Sequence, residues 1–139
     1  MKITIHYIIA LVLVMCSLAA HAELAVIVHP SNAVELSKDD IQRIFLGKNR
    51  SFPNGGEAVP ISYEFSTQEA EEFSTNVLGK TPKQLKAYWA KMIFTGQGTP
   101  PKEMETGAQV LELISKNPNL IGFVPVGTES ANVRVVGKF

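Results

Sequence analysis

The stretch from residue 59 to residue 73 constrains this chain most, because it carries a strand directly into a helix. Ile61 and Tyr63 alternate with smaller or polar neighbours, as a half-buried strand requires. Ser66, followed three residues later by Glu69, spells a capping box, in which each side chain satisfies a backbone N–H of the new helix. A helix start of this kind leaves first-turn N–H groups pointing outward, a ready seat for an anion. Ser66 also has a plainer reading, as a cap and nothing more.

The rest of the chain is compatible with that unit. Leu24-Ala25-Val26-Ile27-Val28-His29 is an apolar run closed by Pro30, suited to a central strand buried on both faces. Ser31 and Asn32 follow in a turn. A helix starts at Ser37, with Asp40 completing its capping box, Ile41, Ile44 and Phe45 on one face, and Gly47 ending it. The helix after Ser66 turns Ala70, Phe73 and Val77 inward and stops at Gly79. Thr81-Pro82-Lys83-Gln84 opens another, with Leu85, Tyr88, Trp89 and Met92 along its buried side. That spacing makes Trp89 and Tyr88 core residues rather than a stacking platform. Residues 96–101 are irregular and extended. Val110, Leu111 and Ile114 mark a last helix, closed by Asn117 and Pro118. Residues 120–124 and 133–136 read as strands, with Gly122 placed for close approach of another backbone. Strands alternating with helices give an α/β layer with a mainly parallel or mixed sheet.

The first 22 residues read as a signal peptide, with Lys2 as the positive start, an apolar run over 8–18, and Ala20-His21-Ala22 as the cleavage signal. Cleavage after Ala22 leaves one domain, residues 23–139, in the periplasm, with no further run long enough to span a membrane. The only cysteine, Cys16, leaves with the signal, so the mature chain has no disulfide or thiolate chemistry. Basic and acidic residues number 13 each, and losing Lys2 tips the mature chain to about −1. Such a balance argues against nucleic acid as a partner.

Catalytic patterns are missing. His29 is the one histidine left after cleavage, which excludes His-rich metal sites. There is no nucleophile elbow, no phosphate-binding P-loop and no dinucleotide-binding glycine motif. The sequence therefore predicts no enzyme, no cofactor and no metal.

Leu36-Ser37-Lys38-Asp39-Asp40-Ile41-Gln42-Arg43-Ile44-Phe45-Leu46-Gly47-Lys48 resembles a segment of phosphate-specific periplasmic binding proteins, and Asn119-Leu120-Ile121-Gly122-Phe123-Val124 resembles their late strand. Residues 78–82, 88–89 and 93–96 resemble a small subgroup of phosphate ABC-transporter substrate-binding proteins. The resemblance implies a single periplasmic-binding-protein-like lobe, its sheet flanked by helices. It also implies a phosphate grip in which Ser66 and Thr67 stand for the family's Ser and Thr. The family's glycine between them is missing, and no Arg occurs between Arg50 and Arg134. Glu64 and Glu69 bring negative charge to the same turn.

Two functions follow as expectations. The first is a phosphate- or oxyanion-binding protein serving ABC transport, with Ser66, Thr67 and Gln68 as the seat and Ser31 and Asn32 across the sheet edge. The second is an interaction module that has lost tight phosphate binding and docks on a membrane sensor or envelope complex. In either case the partner is a membrane transporter or sensor protein.

Overall fold

The computed structural model describes residues 22–139, so the expected signal segment and cleavage signal lie outside the described residues apart from Ala22. The elements in chain order are β1 (Leu24–Val28), α1 (Lys38–Phe45), β2 (Val59–Tyr63), α2 (Gln68–Asn76), α3 (Pro82–Phe94), β3 (Lys102–Met104), α4 (Gly107–Lys116), β4 (Leu120–Pro125) and β5 (Arg134–Lys138). The strands form one sheet in the order β3-β2-β4-β1-β5. It is a mixed sheet. β2, β3 and β4 run parallel, while β1 lies antiparallel to both β4 and β5. A continuous apolar strand is buried on both faces whichever way it runs, so the direction of β1 was not written in its composition.

Local chemistry sets the helix ends. Ser37 and Asp40 form a reciprocal capping box on α1, and Thr81 and Gln84 form another on α3, with Pro82 at the first helical position. After α1, Gly47 takes φ of 70°, a left-handed turn that costs glycine nothing. The Trp89 ring lies over it, 3.4 Å from where a Cβ would stand. The Tyr88 hydroxyl donates to the Leu46 carbonyl at 2.6 Å. These contacts dock α3 onto the end of α1.

Side-chain alternation along β4 separates the layers. Gly122 faces α4, where a Cβ would stand 2.9 Å from Ile114 Cδ1 and 3.0 Å from Val110 Cγ1. The close approach expected at Gly122 is therefore made by side chains of α4 and β2, not by another backbone. Phe123 points to the opposite face. There it stacks on Phe73 of α2 at 3.9 Å between centroids, with Phe45 of α1 edge-on to Phe73 at 4.6 Å. All five residues of β1 are buried, which makes it the centre of the core.

β3 was not visible in the sequence. Its three residues, Lys102-Glu103-Met104, carry one buried side chain and follow two prolines, too little for a period-2 pattern. Among the described residues no helix is long and apolar enough to cross a membrane.

Candidate functional site

The parallel strands β2, β3 and β4 all end at one edge of the sheet, and two helices start there. α2 follows β2 with Thr67 as its N-cap, and α4 follows β3 with Thr106 as its N-cap. Between them opens a cavity of about 370 Å³, whose lining includes Tyr63, Thr67, Glu69, Glu105, Thr106 and Thr128. In each helix the first N–H groups have no intrahelical acceptor and carry the positive end of the helix dipole.

The capping box expected at Ser66 does not form. Thr67 caps instead, its Oγ1 accepting from the Ala70 amide at 3.2 Å and donating to the Glu64 carbonyl at 2.7 Å. The Thr67 amide also donates to Glu64 O at 3.0 Å, and this turn moves the helix start along by one residue. The third helical residue is then Ala70, which has no carboxylate to complete a box. One residue of shift is about 100° of helix rotation. Glu69 thus becomes part of the cavity wall.

Of the five residues expected at the site, Thr67 lines this cavity. Ser66 is exposed beside it, and the Gln68 side chain donates along its own helix to Glu72 at 2.8 Å. Ser31 and Asn32 are elsewhere. Because β1 is antiparallel, its Val28 end pairs with Ile121 near the start of β4, while Leu24 pairs with Pro125. The two halves of the expected site stand at opposite ends of the sheet, with the paired positions at its two ends about 13 Å apart along β4. Asn32 is buried and already used: its Oδ1 accepts from the Val34 amide and from Asn54 Nδ2, both at 3.2 Å. Its carbonyl, with that of Val34, accepts from Arg134 Nη1 at 2.8 and 2.7 Å. Ser31 pairs with His29 Nδ1 at 2.7 Å. These residues hold the loop after β1.

Tyr63 belongs to the cavity and was read only as a strand residue. It is 4% exposed, and its hydroxyl makes no hydrogen bond among the described residues. A Cβ on Gly107 would lie 2.7 Å from that oxygen, so glycine there lets the phenol reach the first turn of α4. Burial pushes the Tyr63 hydroxyl up to about 12, and Glu69 adds to the shift. The group is a neutral donor at any physiological pH. Thr106 was missed too, although a Thr before Gly107 and an apolar helical run is a readable cap signal. Among the described residues no cluster of His, Cys, Asp or Glu could hold a metal ion.

The fold has counterparts in solved structures. One is an ABC-type phosphate transport receptor from Vibrio cholerae, with a TM-score of 0.60 and 16% identity over 84% of this chain and 47% of that one. The fold is that of part of a phosphate-transport receptor. A putative phosphate ABC-transporter substrate-binding protein with bound phosphate, from Clostridium perfringens, gives 0.60 and 18% over 84% of this chain and 45% of the other. PstS from Borrelia burgdorferi gives 0.56 and 15%, covering 76% and 42%. The chain thus spans less than half the length of these phosphate receptors. By sequence it matches no family model and no curated protein.

Proposed function

We propose that this chain is a phosphate- or oxyanion-binding module associated with ABC transport, and not an enzyme. Its seat is the turn of Ser66, Thr67 and Gln68 together with the start of α4. The observation that carries the reading is the convergence of two helix N-termini on one cavity at the carboxyl edge of the parallel strands. The shared fold with three phosphate-transport proteins supports it. The Tyr63 hydroxyl and the free amides of Gln68, Glu69, Gly107 and Ala108 are the donors such a ligand would meet. Glu69 and Glu105 oppose a doubly charged anion, so the isolated lobe binds weakly and a second lobe, from a partner chain or transporter, closes the seat. The protein works in the periplasm, exported by a signal peptide cut after Ala22. The interaction-module reading gains nothing from these neighbours.

Amide shifts of the labelled mature chain, followed while inorganic phosphate is added, test the assignment. Movement of the Gln68, Glu69, Gly107 and Ala108 amides together is the expected result. Shifts confined to the loop of Ser31 and Asn32, or none, would remove the seat.

A further inference from the structure

A second cavity lies at the other end of the sheet. It encloses about 350 Å³ at the amino ends of β2 and β3, a volume within the range of small-molecule sites, roughly 300–1,000 Å³. Its apolar wall is built from Ile44, Val59, Pro60, Pro100 and Pro101, with the buried ring of Trp89 beside them. Gly47 and Gly98 flank that ring. A Cβ at Gly98 would crowd Met92 at 3.1 Å and touch Trp89 at 3.9 Å, so side chains in these places would reduce the space.

Arg50 and Lys102 also line the cavity, and neither is ion-paired among the described residues. Both stand on fixed backbone. The Arg50 carbonyl accepts from the Ala58 amide at 2.9 Å, and Lys102 pairs with Ile61 in the sheet. Among the described residues the one lining carboxylate, Glu57, accepts from Asn119 Nδ2 at 3.4 Å. Asn49 and Thr99 complete the polar groups. Two exposed cations on fixed backbone beside an apolar wall suit a ligand with both characters. A guanidinium offers paired donors that match a carboxylate or phosphate, and the ammonium adds a point charge.

We propose that this cavity is a binding site for a small organic anion, a carboxylate or phosphate monoester with an apolar body. Arg50 and Lys102 hold the charged end, and the proline-lined wall beside Trp89 holds the body. The site is separate from the helix-start cavity and stands or falls independently of it.

Trp89 is the chain's single tryptophan and lines this cavity, so its emission responds to binding there. Phenyl phosphate serves as the probe, titrated into the mature chain up to roughly 10 mM, beyond the reach of weak sites. A saturable change in Trp89 emission is expected. Arg50→Gln and Lys102→Gln each weaken it about tenfold, the loss of one charge-assisted hydrogen bond. Both side chains are exposed, so unchanged melting temperatures confirm that the variants fold. Thr67→Ala leaves the response intact. Neutral phenol gives no saturable change over the same range, and inorganic phosphate leaves Trp89 silent. No saturable change with phenyl phosphate, a response that survives both charge removals, or one lost on Thr67→Ala would overturn the proposal.

Discussion

Replacing Gly122 by alanine tests the packing of α4 against the sheet. A methyl at this position would meet Ile114 Cδ1 at 2.9 Å, Val110 Cγ1 at 3.0 Å and Ile61 Cγ1 at 3.1 Å. Two of these contacts come from α4 and one from β2, and Ile114, Val110 and Ile61 are all buried, so making room means shifting packed side chains. Inserting a carbon into a packed core of this kind costs about 1–3 kcal/mol. Against it stands the gain from removing a strand glycine, about 0.5–1 kcal/mol. Packing wins, and Gly122→Ala is expected to lose about 1–2 kcal/mol net. For a domain of this size that is a fall of roughly 4–12 °C in melting temperature. Ile114→Val removes the closest atom. By itself it costs about 0.5–1.5 kcal/mol, but combined with Gly122→Ala it should give less than the sum, a favourable coupling of at least about 0.5 kcal/mol. Urea denaturation of the four proteins in the cycle measures this. A neutral or stabilising Gly122→Ala, or strict additivity with Ile114→Val, would refute the packing described.

Arg134→Gln removes a charged donor from the Asn32 and Val34 carbonyls and should cost about 2–3 kcal/mol in urea denaturation. The exposed Lys138→Gln on the same strand should stay within about 0.5 kcal/mol, and equal losses would show that the Arg134 bonds do nothing. Tyr63 makes stability fall at high pH. Its hydroxyl titrates near 12 in the folded chain against 10.0 normally, so the stabilisation is complete below pH 10 and is lost as pH rises towards 12. Denaturation at stepped pH should show a loss of up to about 2 kcal/mol over that window. Tyr63→Phe should flatten it, leaving only the part due to Tyr88, whose hydroxyl burial also raises.

The helices were largely legible because their ends are written locally. Ser37 with Asp40 and Thr81 with Gln84 each satisfy orphan amides within four residues, and both boxes are present as read. The cap at Ser66 was misplaced because Thr67 offers an equivalent hydroxyl, and the turn through the Glu64 carbonyl decided between them. Strand direction was the larger loss. Ser31 and Asn32 belong with the seat only if β1 runs parallel to β2, and nothing in an all-apolar pentapeptide reports its direction. Tyr63 entered the site through tertiary contacts alone. Its hydroxyl reaches Gly107, which lies 44 residues further along the chain.

The affinity of the monomer for phosphate tests the functional reading most directly. Each helix start contributes about 0.3–1 kcal/mol, and good hydrogen bonds to a charged group about 1.5–3 kcal/mol apiece. Loss of translational freedom takes back at least about 4 kcal/mol, and Glu69 and Glu105 repel the anion. Micromolar binding needs about 8 kcal/mol net, millimolar about 4. Calorimetry of purified residues 23–139 with phosphate at neutral pH should therefore give a dissociation constant near millimolar, weakened further by Thr67→Ala. A micromolar constant in the monomer would contradict the view that the seat needs a second lobe, and no heat at all at several millimolar would contradict the seat itself.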